Sequence, residues 1–407
     1  MKRKCIILLI LLGAVSCSDW NDPSIDNPRR SLSLTTKQGE FNSAGQNFNF
    51  NLIKQTDIHA QGDWLISPFS MQCLLGMLLN GAQGETSHQI CQALGYGTDE
   101  SADVNIYYQS IFQQLPTLDN TSNLLIANAL FAKPAYPIKA PFKDKMKSYF
   151  QAEVENIESE RAWTKTINAW CRNHTNGLIP TILKEDNNAS IIALNALYFN
   201  APWTCAFPKS NTTEELFYPE SAAPRKVKMM KMEGEGRFFL LSEQAHYQLI
   251  SLPYGNGAYS MYVLLPKKGY SIHSIIQELD FARFNQACMA MRHPGMVELW
   301  IPRFNRSGDK SFGFNEILSD MGMPLLFHGG DFNLISERLE AFSLIQQNTA
   351  ISVTEEGTEA AAITQAIGIG LSDFEVFHAD HPFFYMIREN SSGLVLFAGC
   401  FTGENGA

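Results

Sequence analysis

Alternation between small and larger side chains is the most informative pattern in the chain, and it occupies residues 355–371. A β-strand points successive side chains to opposite faces, so a period of two predicts a strand that has one face of small residues. That face comprises Thr358, Ala360, Ala362, Thr364, Ala366 and Gly368. An Ala-rich helix start or a flexible loop is the alternative interpretation of the same segment.

The N-terminus carries a second pattern, a basic start at 2–4 followed by an apolar run at 5–15. The run has the length of a secretion signal and is too short to span a bilayer, which needs about 20 apolar residues. Small residues then precede Cys17, which resembles the cleavage box of bacterial lipoproteins. We therefore expect 1–16 to be a lipoprotein signal peptide and Cys17 to carry the lipid. A plain secretion signal cut near Cys17 is the alternative.

The segment that follows Cys17 is polar and contains two prolines, so we expect 17–40 to be the lipidated N-terminus and a flexible tether. Its acidic stretch at 18–22 resembles the signal that sends some bacterial lipoproteins to the outer surface. The expected location is therefore the bacterial outer membrane, with the protein exposed at the surface and held by the lipid. Secretion without an anchor is the alternative.

The rest of the chain predicts one large domain at 41–407. The protein has 407 residues, of which 45% are hydrophobic and 18% charged, so it can bury a large core. No repeat or Pro/Ser-rich linker interrupts 41–403. The formal charge is −10, and loss of the three basic residues at 2–4 makes it −13. Nucleic-acid binding is not expected, because phosphate contacts need clustered Lys and Arg.

The motifs that commonly mark enzymes and metal sites are absent from the sequence. It has no G-x-S-x-G, H-E-x-x-H or G-x-x-x-x-G-K-[ST] pattern. None of its eight cysteines forms a C-x-x-C pair. We therefore expect no enzyme activity, no metal and no cofactor. Most of the six cysteines after Cys17 are expected to be buried small hydrophobes, with a disulfide left open.

Segments spread along the chain resemble, in order, the motifs of the serpin family. Residues 356–362 resemble the hinge of the reactive-centre loop of inhibitory serpins. The other matching segments are 64–70, 80–86, 175–179, 194–203, 227–232, 252–254, 297–304 and 381–384. The resemblance covers 41–403 without large gaps. It implies a mixed α/β (α+β) serpin fold with three β-sheets, eight or nine helices and an exposed reactive-centre loop at about 355–378.

The resemblance also implies a function, inhibition of serine proteases by a suicide-substrate mechanism. The protease serine attacks a loop carbonyl and forms an acyl-enzyme. The cleaved loop then inserts as a new strand in the main sheet and drags the trapped protease along. The implied hinge and insertion residues are Glu355, Gly357, Thr358, Glu359, Ala360, Ala361, Ala362, Thr364 and Ala366. A non-inhibitory serpin that serves as a surface binding module and an unrelated surface lipoprotein are the alternatives.

Spacing within the family implies that the reactive bond is Leu371–Ser372. Leu371 lies 16 residues after Glu355 and 11 residues before Pro382, as the family pattern requires. Leucine suits an apolar primary pocket, so the expected partners are elastase-like or chymotrypsin-like proteases. Trypsin-like proteases are not expected, because they carry an Asp that selects Lys or Arg.

Other residues correspond to the shutter and breach, the regions of the family where the main sheet opens to admit the loop. They are Ser67, Ser70, Asn195, Trp203 and Gln347. The two serines flank a proline in a helix-start arrangement and should cap the helix and hydrogen-bond beneath the sheet. The glutamine replaces a frequent histidine, and we expect its amide to bond to the asparagine.

A basic helix that binds heparin-like polyanions is not expected. Some serpins carry such a helix in the region between Lys54 and Lys133, where this chain has no Lys or Arg at all. The predicted partners are therefore the target proteases, which form a covalent complex with the loop, and the membrane, which is reached through the lipid. The protein itself is expected to be a monomer.

Overall fold

A computed structural model describes residues 26–175, 177, 181–183, 189–307, 314–357 and 374–404. Within these ranges the chain forms nine α-helices and fifteen β-strands. The helices are α1 Thr36–His59, α2 Pro68–Leu79, α3 Gly84–Leu94, α4 Ser101–Gln114, α5 Ala140–Phe150, α6 Glu160–His174, α7 Ile272–Glu278, α8 Phe281–Met289 and α9 Phe314–Asp320. The strands are β1 Trp64–Ile66, β2 Asn123–Ala132, β3 Glu153–Asn156, β4 Ile191–Asn200, β5 Thr213–Phe217, β6 Arg225–Glu235, β7 Leu240–Glu243, β8 Tyr247–Tyr254, β9 Tyr259–Pro266, β10 Met296–Pro302, β11 Phe304–Ser307, β12 Leu344–Val353, β13 Phe374–His378, β14 Phe383–Glu389 and β15 Val395–Phe401.

The strands form three sheets, which confirms the predicted mixed α/β architecture. A five-stranded sheet has the order β11-β12-β4-β2-β3. A six-stranded sheet has the order β1-β15-β14-β9-β8-β7, and a four-stranded sheet has the order β13-β10-β6-β5. The nine helices agree with the eight or nine expected.

The five-stranded sheet lies between two hydrophobic cores, and this position explains the apolar run in β4. Nine of its ten residues are buried, as expected of a strand covered on both faces. Ala193, Leu197 and Phe199 face the larger core, together with α2. Leu194 and Ala196 face a smaller core with α6. Successive residues therefore alternate between the two cores, as the strand period requires.

Helix α2 lies in the larger core and is buried on all sides, since all twelve of its residues are buried. Its start follows from the local sequence. The Ser67 hydroxyl accepts a hydrogen bond from the backbone N–H of Ser70, and Pro68 occupies the first helical position, where its missing N–H costs nothing. The predicted helix start with its serine cap is confirmed.

The flexible tether predicted at 17–40 is longer than the structure allows. Helix α1 begins at Thr36, capped by the Thr35 side chain in a reciprocal arrangement with Gln38. Before it, Asn27 donates to the Asp119 carboxylate at 2.8 Å, and the Ser33 N–H donates to Gln114 at 2.8 Å. Residues 26–40 thus belong to the folded body, because their polar groups find partners on it. Cys17 and the predicted signal peptide at 1–16 lie outside the described residues.

None of the helices in the described part of the chain is long and apolar enough to span a membrane.

Candidate functional site

The seam between β4 and β12 is the part of the main sheet where a new strand would have to enter. The two strands run parallel, and their ladder extends from Leu344 opposite Ile192 to Ala350 opposite Tyr198. β12 continues to Val353, and there it pairs with β11 on its other edge. The seam is therefore paired along most of its length, and its ladder ends before the C-terminal ends of the two strands.

A tight turn after β12 closes this upper end of the seam. The N–H of Thr354 donates to the Gly357 carbonyl at 2.9 Å, and the N–H of Gly357 donates back to the Thr354 carbonyl at 3.2 Å. On its other side, Gly357 forms an antiparallel bridge with Pro202, just beyond β4. Gly357 thus lies between the extensions of both strands.

Only glycine fits this position. Gly357 has φ +122°, a backbone conformation that is sterically unfavourable for residues with a Cβ atom. A Cβ atom there would collide with the Ala201 carbonyl oxygen and the Trp203 backbone nitrogen. The sequence-predicted hinge glycine therefore has a physical reason, the close approach of two backbones.

Trp203 holds the turn from beside β4. Its indole Nε1–H donates to the Thr354 carbonyl at 2.9 Å, and its backbone N–H donates to the Glu356 carbonyl at 3.0 Å. The indole also stacks on Tyr254, with ring centroids 4.3 Å apart and planes 12° from parallel. Trp203 thus lies at the top of the seam, where the family resemblance implied it.

Glu355 anchors the same turn through its buried carboxylate, which is 2% exposed. One oxygen accepts from the Thr212 hydroxyl at 2.7 Å, and the other accepts from Arg303 Nε at 3.1 Å. Burial raises the pKa of Glu355, but the hydrogen bonds from Thr212 and Arg303 outweigh it and leave the pKa below its ordinary value. The carboxylate is therefore held ionised in the turn.

The middle of the seam rests on the start of α2. The Gln347 side chain accepts from the Ser67 N–H at 2.6 Å and donates to the Ser67 carbonyl, so its amide acts like a backbone partner. The Ser67 and Ser70 hydroxyls lie 2.8 Å apart. These contacts are fully buried and tie β12 to the helix below it.

The expected bond between Gln347 and Asn195 is wrong. The two residues are register partners on β12 and β4, but the amide of Gln347 bonds to Ser67 instead. Asn195 Nδ2 donates to Asn128 Oδ1 of β2 at 2.7 Å. Asn195 Oδ1 is buried and has no hydrogen-bond partner among the described residues. The Gln347 amide bonds to the backbone N–H and carbonyl of Ser67 rather than to the side chain of Asn195. The spacing of residues along the sequence does not reveal this choice.

The family is decided by comparison with known proteins. A family model described as Serpin (serine protease inhibitor) matches residues 43–403. The chain belongs to the serpin family.

The relatives of this serpin cover nearly its whole length. Human Serpin B3 is 30% identical over an alignment of 386 residues, which covers 88% of this chain and 98% of that protein. An uncharacterized serpin-like protein of Methanosarcina mazei is 28% identical, covering 97% of this chain and 95% of that protein. The structure of tengpin, a thermophilic serpin in the native state, has a TM-score of 0.81 and 28% identity, and covers 92% of this chain and 96% of tengpin. Protease inhibition is therefore the general function of the family to which this chain belongs.

The predicted reactive-centre loop at 355–378 differs from the structure at both ends. Residues 355–357 form the buried turn, and β13 occupies Phe374–His378, where it pairs in parallel with β10. The serpin body therefore includes both ends of the predicted range. The remaining predicted residues lie outside the described residues. They are Thr358, Glu359, Ala360, Ala361, Ala362, Thr364, Ala366, Leu371 and Ser372.

The sequence did not predict several of the residues that contact the site residues. Arg303 and Thr212 bind Glu355, Asn128 binds Asn195, and Tyr254 stacks on Trp203. Arg303 and Tyr254 fall inside segments that resemble family motifs, and this resemblance is the one feature of the sequence that could have indicated their roles. Thr212 and Asn128 had none, because their roles arise from distant segments that meet only in the fold.

Cysteine and histidine chemistry does not add a second site in the described part of this serpin. Among the described residues, none of the six cysteines from Cys73 to Cys400 is joined in a disulfide. Four are buried, and burial raises the pKa of the Cys171 thiol to about 12. No group of three His, Cys, Asp or Glu among the described residues is arranged to hold a metal. His378 stacks on Trp300, and His381 hydrogen-bonds to Asp380, so both side chains make contacts that stabilise the fold.

Proposed function

We propose that this serpin inhibits serine proteases by acyl trapping followed by insertion of the cleaved loop between β4 and β12. The observation that carries the proposal is Gly357, which bridges Thr354 on one side and Pro202 on the other. A strand that continues from Gly357 would enter the seam between the two strands. The face of small residues found in the sequence suits such an entry, since a bulky or charged side chain would meet a buried core.

The energetics favour insertion after cleavage. About ten new ladder hydrogen bonds at roughly 0.5–1.5 kcal/mol each, with burial in addition, are comparable to the roughly 5–15 kcal/mol that keeps a typical protein folded. A loop that inserts can therefore deform the protease attached to it. The uncleaved state is then held by a kinetic barrier rather than by equilibrium.

The proposed target class is elastase-like or chymotrypsin-like proteases cutting at Leu371–Ser372. The support is the leucine at the implied reactive bond and the lack of any basic residue between Glu355 and Leu371.

Denaturing gels of residues 26–407 mixed with pancreatic elastase or with chymotrypsin test the proposal. We expect a band of summed mass that survives SDS and boiling, and mass spectrometry of the released C-terminal fragment should begin at Ser372. Complete cleavage by every protease tried, without that band, would instead support the binding-module alternative.

We further propose that the chain is exported and held at the outer membrane surface by a lipid on Cys17. The support is the basic and apolar leader followed by small residues before the cysteine. Labelling cells with a radioactive fatty acid should mark the wild-type protein and leave Cys17→Ser unlabelled. If both proteins are released unlabelled into the medium, the secreted alternative is correct.

A further inference from the structure

A cavity of about 590 Å³ opens at the base of β12, at the end of the strand opposite to the Gly357 turn. Ala341, Phe342 and Ser343 line it, and they lead directly into the first residue of β12. Its volume falls in the range of about 300–1,000 Å³ that is typical of small-molecule sites. The cavity shares no residue with the site at the seam, so it is a separate candidate for binding.

Helix α9 lines one side of the cavity with a polar face. The lining residues are Asn315, Glu316, Ser319 and Asp320, which are spaced as neighbours on one face of a helix. His59 of α1 contacts both carboxylates, since its Nε2 lies 3.0 Å from Asp320 Oδ2 and its Nδ1 lies 3.8 Å from Glu316 Oε2. The second oxygen of each carboxylate has no partner in the described part of the chain. Two negative charges are therefore positioned on this side, each with an acceptor oxygen still available.

Positive charge lies on the segments that face α9 across the cavity. His328 and Arg338 line these segments, and both side chains are exposed. Within the described residues, neither side chain forms a hydrogen bond or an ion pair, with α9 or with the nearby Glu340. Opposite charges thus line one cavity without pairing across it. Such an arrangement leaves room for a ligand that carries both charges itself.

An aromatic floor joins the two charged sides. Phe327 and Phe342 line the cavity and are 8% and 2% exposed. Phe342 is fixed in place, because its N–H donates to the Leu326 carbonyl at 2.9 Å and its ring packs edge-to-face on Phe332 with centroids 5.0 Å apart. Tyr136 completes the lining. The floor can therefore hold the apolar part of a ligand.

This combination of groups excludes two simpler ligands. No group of three His, Cys, Asp or Glu in the described ranges is arranged to hold a metal ion, and that includes the carboxylates beside His59. A polyanion would be repelled by Glu316 and Asp320 on one side of the cavity. A zwitterion with an apolar side chain matches all three parts of the lining.

We propose that this cavity binds a short peptide through its two free termini. The ammonium group contacts the carboxylates of Glu316 and Asp320. The carboxylate contacts Arg338, whose planar guanidinium suits two oxygens at once. An apolar side chain of the peptide lies on the aromatic floor. The inference does not rest on the proposed function, because it requires neither the loop nor a protease.

Titration calorimetry of the purified protein with a panel of dipeptides tests the proposal. The panel has alanine first and each of the coded amino acids second. We expect dipeptides with an apolar second residue to bind with millimolar or tighter affinity and to raise the unfolding midpoint. The N-acetylated and the C-amidated forms of the best dipeptide should each bind roughly tenfold more weakly, since each lacks one charge.

Variants assign each charge of the ligand to its partner. Arg338→Gln should weaken binding of the free dipeptide roughly tenfold and leave binding of the C-amidated form unchanged. Glu316→Gln combined with Asp320→Asn should weaken binding of the free dipeptide and leave binding of the N-acetylated form unchanged. Lys139→Gln is the matched control, because it removes a positive charge that pairs with Glu337 outside the cavity lining. It should bind the free dipeptide as wild type does.

Three outcomes would overturn the proposal. One is that no dipeptide of the panel binds at millimolar concentration. Another is that the free, acetylated and amidated forms bind equally, which would mean that only the aromatic floor takes part. The third is that Arg338→Gln and Lys139→Gln weaken binding equally, which would remove Arg338 as the partner of the carboxylate. The unfolding midpoint of each variant without ligand shows that the variant is folded.

Discussion

Arg303 Nε donates a 3.1 Å hydrogen bond to Glu355 Oε2, and this pair joins the turn after β12 to the junction of β10 and β11. The carboxylate is 2% exposed, while the guanidinium is 45% exposed. The two residues are 52 positions apart in sequence. Because Glu355 precedes Gly357 by two residues, the pair holds the starting point of the proposed insertion.

Replacing Glu355 with Gln should loosen this turn. The variant keeps the shape but loses the charge that binds Arg303, and a hydrogen bond to a charged partner contributes about 1.5–3 kcal/mol. We expect the variant to unfold at a lower guanidinium concentration than wild type. We also expect it to lose its ability to trap proteases slowly during storage. The matched control is Glu337→Gln, whose carboxylate side chain is 81% exposed and pairs only at the surface with Lys139. Equal midpoints for wild type and Glu355→Gln would show that the ion pair does not hold the turn.

The same pair predicts a dependence on pH. The pKa of Glu355 is lowered in the folded state, because the bonds from Thr212 and Arg303 outweigh the opposing effect of burial. Its contribution to stability is therefore complete above the pKa of the unfolded chain and is lost as the pH falls through the folded value. The midpoint difference between wild type and Glu355→Gln should be constant above about pH 5 and should shrink below about pH 4. A difference that grows on acidification would contradict this assignment.

The contribution of His381 to stability should depend on pH in the opposite direction. Burial lowers its pKa, but Nδ1 bonds to the Asp380 carboxylate at 2.7 Å and Nε2 to the Pro266 carbonyl at 2.8 Å, so the net effect is a raised pKa. Two acceptors favour the doubly protonated ring. Its stabilisation is fully present below the unfolded pKa of about 6.5 and disappears as the pH rises through the folded value. His381→Gln should therefore destabilise most near pH 6, while the exposed His328→Gln serves as the control.

Thr358→Arg should turn the proposed inhibitor into a substrate. Thr358 follows Gly357 directly, and an inserted strand that continued the two antiparallel bridges of Gly357 would bring it between Val353 and Ala201, both buried. A guanidinium there would lose its hydration without gaining a partner. Gels should show the cleaved chain in place of the stable complex. Glu359→Arg changes the adjacent residue on the opposite face and should still form the complex. Normal complex yield with Thr358→Arg would exclude insertion in this register.

Leu371→Arg should move the preference toward trypsin-like proteases. A basic residue before the reactive bond matches the Asp at the base of their primary pocket. We expect stable complexes with trypsin and at least a tenfold slower reaction with elastase, whereas Leu371→Met should keep the apolar preference. Second-order rate constants with each protease are the measurement. Unchanged rates for all proteases would mean that the reactive bond lies elsewhere in the loop.

Parts of the site were predictable because they depend on local chemistry. Ser67 caps α2 because a hydroxyl before a proline satisfies a free N–H at a helix start, and neighbouring residues alone decide this. The small face at 358–368 is likewise a local alternation. The conformation of Gly357 follows from the crowding of two backbones, which the sequence signals only through the choice of glycine.

Other parts of the site were not predictable from spacing. The sequence placed Gln347 beside Asn195, and the register confirms that they are neighbours, yet the glutamine bonds to Ser67, 280 residues away. The choice depends on where α2 lies beneath β12. The tether was overestimated for a similar reason, since polar residues at 26–35 look like linker until distant partners such as Asp119 receive their hydrogen bonds.

The sequence by itself determined the family, the mixed α/β fold, the alternating loop segment and its position near the C-terminus, because these depend on composition, period and ordered motifs. Only the tertiary structure decided which groups meet. It joined Arg303 to Glu355, left Asn195 Oδ1 without a hydrogen-bond partner among the described residues and set Gly357 between the extensions of β4 and β12. The physical reason is that hydrogen bonds and registers between distant segments depend on the packing of the whole chain, whereas periods and caps depend on neighbouring residues.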